Sequence, residues 1–180
     1  MKVVGIDPGK KGAIVALYDF KPHITPMPII SARPGEGRDE YDIGEIVALF
    51  RDNLEMGDPI DLVMVEKAQP LPPIRTSDGV QLGGSLANFN RGVQSGFAWL
   101  LEALEIPYQL VSARTWQKSM LAGTSGADTK QRSILAAGRL FPGVNLKRSA
   151  RARKADDGIA DALLLAEYAR RTKNGGTQHG

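Results

Sequence analysis

Residues 2–18 read KVVGIDPGKKGAIVALY, and this stretch decides the fold. Its β-branched run from Lys2 to Asp7 and its apolar run from Ala13 to Tyr18 flank a tight Pro-Gly turn, which predicts an antiparallel hairpin. A third strand fits His23 to Ile30, where Pro26 and Pro28 suit only an edge position. Asp42, Ile43, Ile46, Val47, Leu49, Phe50 and Leu54 recur at helical spacing and predict an amphipathic helix closing near Gly57. The interior of Asp61 to Glu66 is almost continuously apolar, as in a central strand buried on both faces. A Pro/Gly-rich loop from Ala68 to Gly84 follows, of a length usually tied to function. A helix is expected from about Leu86 to Leu104, and Pro107 to Val111 reads as another buried strand. Ser112 and Asp128 are N-cap residues for helices reaching Met120 and Phe141. Lys147 to Lys154 is a basic loop, Ala155 to Arg171 a final helix, and residues 173–180 a polar tail expected to be flexible. The order predicts an α/β fold in one domain over residues 1–172, with antiparallel strands first and crossover helices afterwards.

Composition narrows the chemistry. The chain of 180 residues has no cysteine, and His23 and His179 are its two histidines. A disulfide scaffold, a thiol nucleophile, a Cys-ligated zinc or iron–sulfur site and an imidazole-rich metal site are therefore excluded. No signal-peptide pattern opens the sequence and no apolar run approaches ~18 residues, so the expectation is a soluble, cytoplasmic protein without membrane contact. The net charge of +3 hides an uneven distribution. Residues 110–154 hold 10 basic side chains against the single acid Asp128, whereas residues 1–109 hold 10 basic and 15 acidic ones. Such asymmetry points either to a polyanionic partner, nucleic acid first, or to a solvated basic face.

The acids have their own pattern. Asp7 and Glu66 stand at the ends of predicted strands, where the loops of α/β sheets open onto a crevice. Asp157 and Asp161 are one helical turn apart in DDGIADALLLA (residues 156–166), a repulsive spacing that a bound cation would offset. A helix N-terminus favouring acids through its dipole accounts for Asp156 and Asp157, and less well for Asp161. Four carboxylates make an all-oxygen site suited to Mg²⁺ or Mn²⁺, and two such ions can drive phosphodiester hydrolysis.

At these residues the sequence resembles the RuvC-type Holliday-junction resolvases, of the RNase H-like (retroviral-integrase-like) fold. The likeness is carried by Gly5-Ile6-Asp7-Pro8-Gly9, Val65-Glu66, Ser112-Ala113-Arg114, Lys130 ahead of an Ala-rich helix, and Asp157 to Ala166. They stand in family order over about residues 3–170, more like phage or prophage members than the housekeeping bacterial enzyme. The resemblance implies a mixed five-stranded sheet flanked by helices, and a metal-dependent endonuclease that nicks four-way junctions in pairs. It implies an acidic tetrad of Asp7, Glu66, Asp157 and Asp161 holding two Mg²⁺ or Mn²⁺ ions, with Lys118 and Lys130 at the scissile phosphate. A homodimer in a bacterial or phage-infected cytoplasm is implied too, with the Leu86–Leu104 helix near the interface and Phe89 and Arg91 close to DNA. Lys10, Lys11, Arg114, Lys147, Arg148, Arg151, Arg153 and Lys154 complete the expected DNA-contacting set. The last two acids are four apart here and three apart in the bacterial enzyme, which leaves Asp156 and Asp157 as alternatives. Gln69 replaces the family's aromatic after the strand-end glutamate, and Lys118 is shifted by one position.

Two other readings fit parts of the pattern. Asp7-Pro-Gly-Lys-Lys-Gly12 suits the phosphate turn of actin-like ATPases and sugar kinases, but those close a second domain over nucleotide, which 180 residues cannot supply. A non-catalytic nucleic-acid binder on the same fold would gain nothing from acids beside phosphates.

Overall fold

The computed structural model describes residues 1–33, 35, 37–55, 59–68, 74–75, 81–82 and 84–176, without the side chains of 53–55, 74–75, 81–82, 84–88 and 176. In chain order the elements are β1 (Lys2–Asp7), β2 (Ala13–Tyr18), β3 (Lys21–Pro26), β4 (Ile29–Ile30), β5 (Glu40–Tyr41), α1 (Ile43–Glu55), β6 (Leu62–Lys67), β7 (Ile74–Arg75), β8 (Gln81–Leu82), α2 (Gly84–Ala103), β9 (Tyr108–Ser112), α3 (Ala113–Met120), α4 (Thr129–Leu140) and α5 (Asp157–Gly176).

One mixed sheet of five strands, ordered β3-β2-β1-β6-β9, organises the chain. The first three strands pair antiparallel, and β6 and β9 join them in parallel. Side-chain alternation divides the core in two. Val3, Leu62 and Met64 face α3, α4 and α5. Val4, Ile6, Val63 and Val65 face α1 and α2 through Ile46, Phe50, Phe97 and Leu101. Helix α5 lies directly on β1. A Cβ at Gly5 would stand 2.1 Å from the Ala162 carbonyl oxygen, so only glycine permits that approach.

Several expectations change in detail. The third strand runs from Lys21 and stops at Pro26, so Pro26 falls in an edge strand as expected whereas Pro28 lies beyond it. Ile29–Ile30 belongs to a separate ribbon with Glu40–Tyr41. Strand β9 is the opposite edge and not an interior strand: Gln109 and Leu110 are exposed and Val111 is buried. Most of the expected loop between Ala68 and Gly84, Gln69 included, lies outside the described residues, although β7 and β8 pair as a short ribbon. Helix α5 continues past Lys173 and Asn174, where a tail was expected, to Gly176, and residues 177–180 lie outside the description.

Candidate metal and phosphate site

Strand parity brings the first two acids together. Asp7 shares a face with Val3 and Gly5, and Glu66 shares one with Leu62 and Met64, and both faces meet α5. The parallel register pairs Ile6 with Val65, so Asp7 and Glu66 follow as neighbours at the ends of adjacent strands. Close packing of α5 supplies the other two. A Cβ at Gly158 would stand 2.2 Å from the Lys11 carbonyl oxygen, which seats the α5 N-terminus on the β1–β2 turn. Asp157 and Asp161 thereby come to the same end of the sheet. A cleft of about 280 Å³ opens there, with Asp7, Gly9, Glu66 and Asn90 in its wall.

The electrostatics show how crowded this end is. Burial pushes Asp7 up to about 6, against a Gly9 amide that donates to Oδ1 at 3.1 Å, and Asp157 adds repulsion. Burial likewise pushes Glu66 up to about 7 despite the Trp116 hydrogen bond, with Asp7 and Asp161 adding repulsion. Asp161 also reaches about 7, through burial first, with Asp7 and Asp157 raising it and Ser133 and Lys130 lowering it. Desolvation and like charge both disfavour the ionised forms. Asp161 Oδ1 and Ser133 Oγ are buried and neither makes a hydrogen bond of ordinary geometry.

Among the described residues, no three His, Cys, Asp or Glu side chains converge tightly enough to hold one ion. Asp7 and Glu66 line the cleft, and two of the four acids are held by other side chains. Lys130 Nζ lies 2.8 Å from Asp157 Oδ2, and the Trp116 indole donates to Glu66 Oε2 at 2.8 Å. The donor set still fits a hard divalent cation. It is oxygen throughout, it is short of compensating charge, and one buried oxygen has no partner.

The structure distinguishes the two candidate aspartates. Asp156 caps α5 through the Ile159 amide at 3.1 Å and is held by Arg148. Burial raises its pKa, but the Arg148 and backbone hydrogen bonds outweigh that, and its carboxyl sits below the ordinary value. Both aspartates raise Asp7, Asp157 the more strongly, but of the two only Asp157 also raises Asp161.

The basic residues separate into groups. Lys130 is at the acids, whereas Lys118 is exposed on α3, on a side of that helix away from Trp116. Lys11, Arg91, Arg114, Lys147, Arg151, Arg153 and Lys154 are exposed. Lys10 is half-buried and donates to the Asp39 carbonyl, with Nζ 5.4 Å from the Phe89 ring centre and 5.8 Å from that of Tyr41. Arg148 is turned inward, and so is Arg132, which donates to the carbonyls of Thr124 and Leu121. Trp116 was missed by sequence reasoning. Its only signal was a bulky apolar residue on a polar helix, and it is wholly buried with its N–H on Glu66. Tyr41 was missed as well; its hydroxyl donates to the Pro8 carbonyl at 2.9 Å beside Asp7.

No family model and no curated protein matches the sequence. Solved structures do match. Thermus thermophilus RuvC in complex with a Holliday junction substrate aligns with a TM-score of 0.58 and 17% identity, over 98% of this chain and 97% of that one. A second Thermus thermophilus RuvC structure gives 0.56 and 21%, over 98% of each chain. At such identities the likeness is one of fold, and it extends over the whole sheet and its helices.

Proposed function

We propose that this chain is a metal-dependent, structure-selective endonuclease that cuts four-way or related branched DNA by paired nicks. The observation that carries the reading is the set Asp7, Glu66, Asp157 and Asp161 at one sheet end, with a buried, unpartnered Asp161 oxygen, on a fold shared with RuvC. These four acids would hold Mg²⁺ or Mn²⁺, two ions in the family pattern, which would supply activation of water and stabilisation of charge at the scissile phosphate.

The protein's own groups supply the rest. Gly9 orients Asp7 and Trp116 orients Glu66, and both acids line the cleft. Lys130, exposed and already at Asp157, is placed to hold a phosphate oxygen as negative charge develops. Lys147, Arg151, Arg153 and Lys154 line the approach to α5 and would contact the phosphate backbone, so affinity should fall with salt. Lys118, Arg114, Lys10, Lys11, Phe89 and Arg91 would extend that contact. The exposed Trp99 (78%) on α2, next to the apolar groove of Ile43, Val47 and Gly96, is a surface on which a second copy would pair.

A cleavage assay on four-way junction, fork and linear duplex in Mg²⁺ and in Mn²⁺ tests this. Preferential nicking of the branched substrates supports it, and uniform cutting of the duplex contradicts structure selectivity. The loose spacing of the acids favours a second reading, a nucleic-acid binder without catalysis. Junction binding with no nicking in either metal would establish it.

A further inference from the structure

Arg148 lies in the most basic segment of the chain, where composition alone assigns it to DNA. Its guanidinium is engaged inside the protein instead. Nε donates to Asp156 Oδ2 at 2.7 Å and Nη2 donates to Asp156 Oδ1 at 2.9 Å. Nη2 also donates to the Lys11 carbonyl and, at 3.2 Å, to the Gly12 carbonyl. Asp156 in turn caps α5 through Ile159, and its own amide donates to the Leu146 carbonyl at 2.8 Å. One side chain therefore joins the loop before α5, the β1–β2 turn and the α5 N-terminus. The turn begins at Asp7, and α5 begins at Asp157.

We infer that Arg148 is a positioning residue that fixes the Asp7 turn against the Asp157 end of α5, and is not a DNA contact. The inference rests on the proposed role of those acids as cation ligands. It divides the basic segment by function: Lys147, Arg151, Arg153 and Lys154 point to solvent, and Arg148 sets the spacing of the acids. A planar fork is needed for this. Nε and Nη2 take the two Asp156 oxygens side by side while Nη2 also reaches the turn carbonyls, and the single ammonium of lysine cannot reproduce that two-nitrogen grip.

The test uses the full chain and the variants Arg148→Ala, Arg148→Lys, Asp156→Asn and Arg148→Ala/Asp156→Asn, each checked for cooperative melting. Asn retains the capping oxygen, so Asp156→Asn removes the ion pair without removing the cap. Three quantities are read: Mn²⁺ binding by electron paramagnetic resonance without DNA, junction binding in EDTA across a salt series, and amide hydrogen exchange at residues 8–12 and 157–161. Arg148→Ala should weaken Mn²⁺ binding about tenfold and speed exchange in both segments. Junction affinity should stay within about twofold, with an unchanged salt slope. Arg148→Lys should not rescue, and the double variant should be no worse than either single one, as expected of one shared interaction. A junction affinity that drops with a salt slope lower by about 0.9, and that Arg148→Lys restores, would make Arg148 a phosphate ligand and overturn the inference. Unchanged exchange in Arg148→Ala overturns it too. A parent protein that takes up no Mn²⁺ refutes the metal-site reading instead, and the exchange arm then decides the clamp alone.

Discussion

Glu66 and Trp116 show a single hydrogen bond working against burial at a carboxylate. The indole N–H holds Glu66 toward its ionised form against burial, yet the carboxyl still reaches about 7. Trp116→Phe removes that donor, so Glu66 should hold its proton to higher pH. The acidic limb of the cleavage–pH profile should move up by about half a unit to one unit, and an unmoved limb would remove Trp116 from the site. The acids also couple pH to stability. Asp7, Glu66 and Asp161 have raised folded values of about 6, 7 and 7, against ordinary values of 3.8, 4.5 and 3.8. The folded state therefore binds more protons than the unfolded one between about pH 4 and 7, and their contribution to stability is lost as pH rises through that window. In EDTA the melting temperature should fall on going from pH 5 to pH 8, by about 5 °C for a domain of this size. Asp161→Asn should flatten the fall and Mg²⁺ should reverse most of it at pH 8. A melting temperature that climbs over the same range would contradict the assignment.

The contact between β1 and α5 decides where the acids stand. Gly5 lets the helix backbone touch the strand, so Gly5→Ala forces a Cβ to within 2.1 Å of the Ala162 carbonyl oxygen. A loss of about 1–3 kcal/mol in urea unfolding is expected, together with weaker metal binding because α5 must move away from Asp7. Unchanged stability would mean that α5 packs less closely. Much at this scale was legible in the sequence. Two strand-like runs around a Pro-Gly turn predicted the hairpin, a continuous apolar run predicted the buried β6, and Ser112 and Asp128 cap α3 and α4 as their side chains suggest. Strand β9 was misjudged because an apolar run does not reveal which edge of the sheet it will occupy. The β4–β5 ribbon was not foreseen, since two-residue strands carry no periodicity. The partners of Arg148 were hidden for a related reason: Asp156 is near in sequence, but the carbonyls of Lys11 and Gly12 are brought to it only by the fold.

The whole molecule pairs an acidic sheet end with a basic surface, within a near balance of 23 basic against 20 acidic residues. None of the described helices is long and apolar enough to cross a membrane. Among the described residues Trp99 on α2 is the most exposed large apolar side chain, at 78%. Trp99→Glu should shift the chain toward monomer in sedimentation and convert paired cuts into single nicks. A variant that keeps both the mass and the paired cutting would relocate the interface. The central claim concerns the acids. Parent protein and Asp7→Asn, compared for binding and nicking of one four-way junction in Mg²⁺, test it most directly. The account predicts that Asp7→Asn binds the junction as the parent does and does not nick it; undiminished nicking by Asp7→Asn would contradict the account.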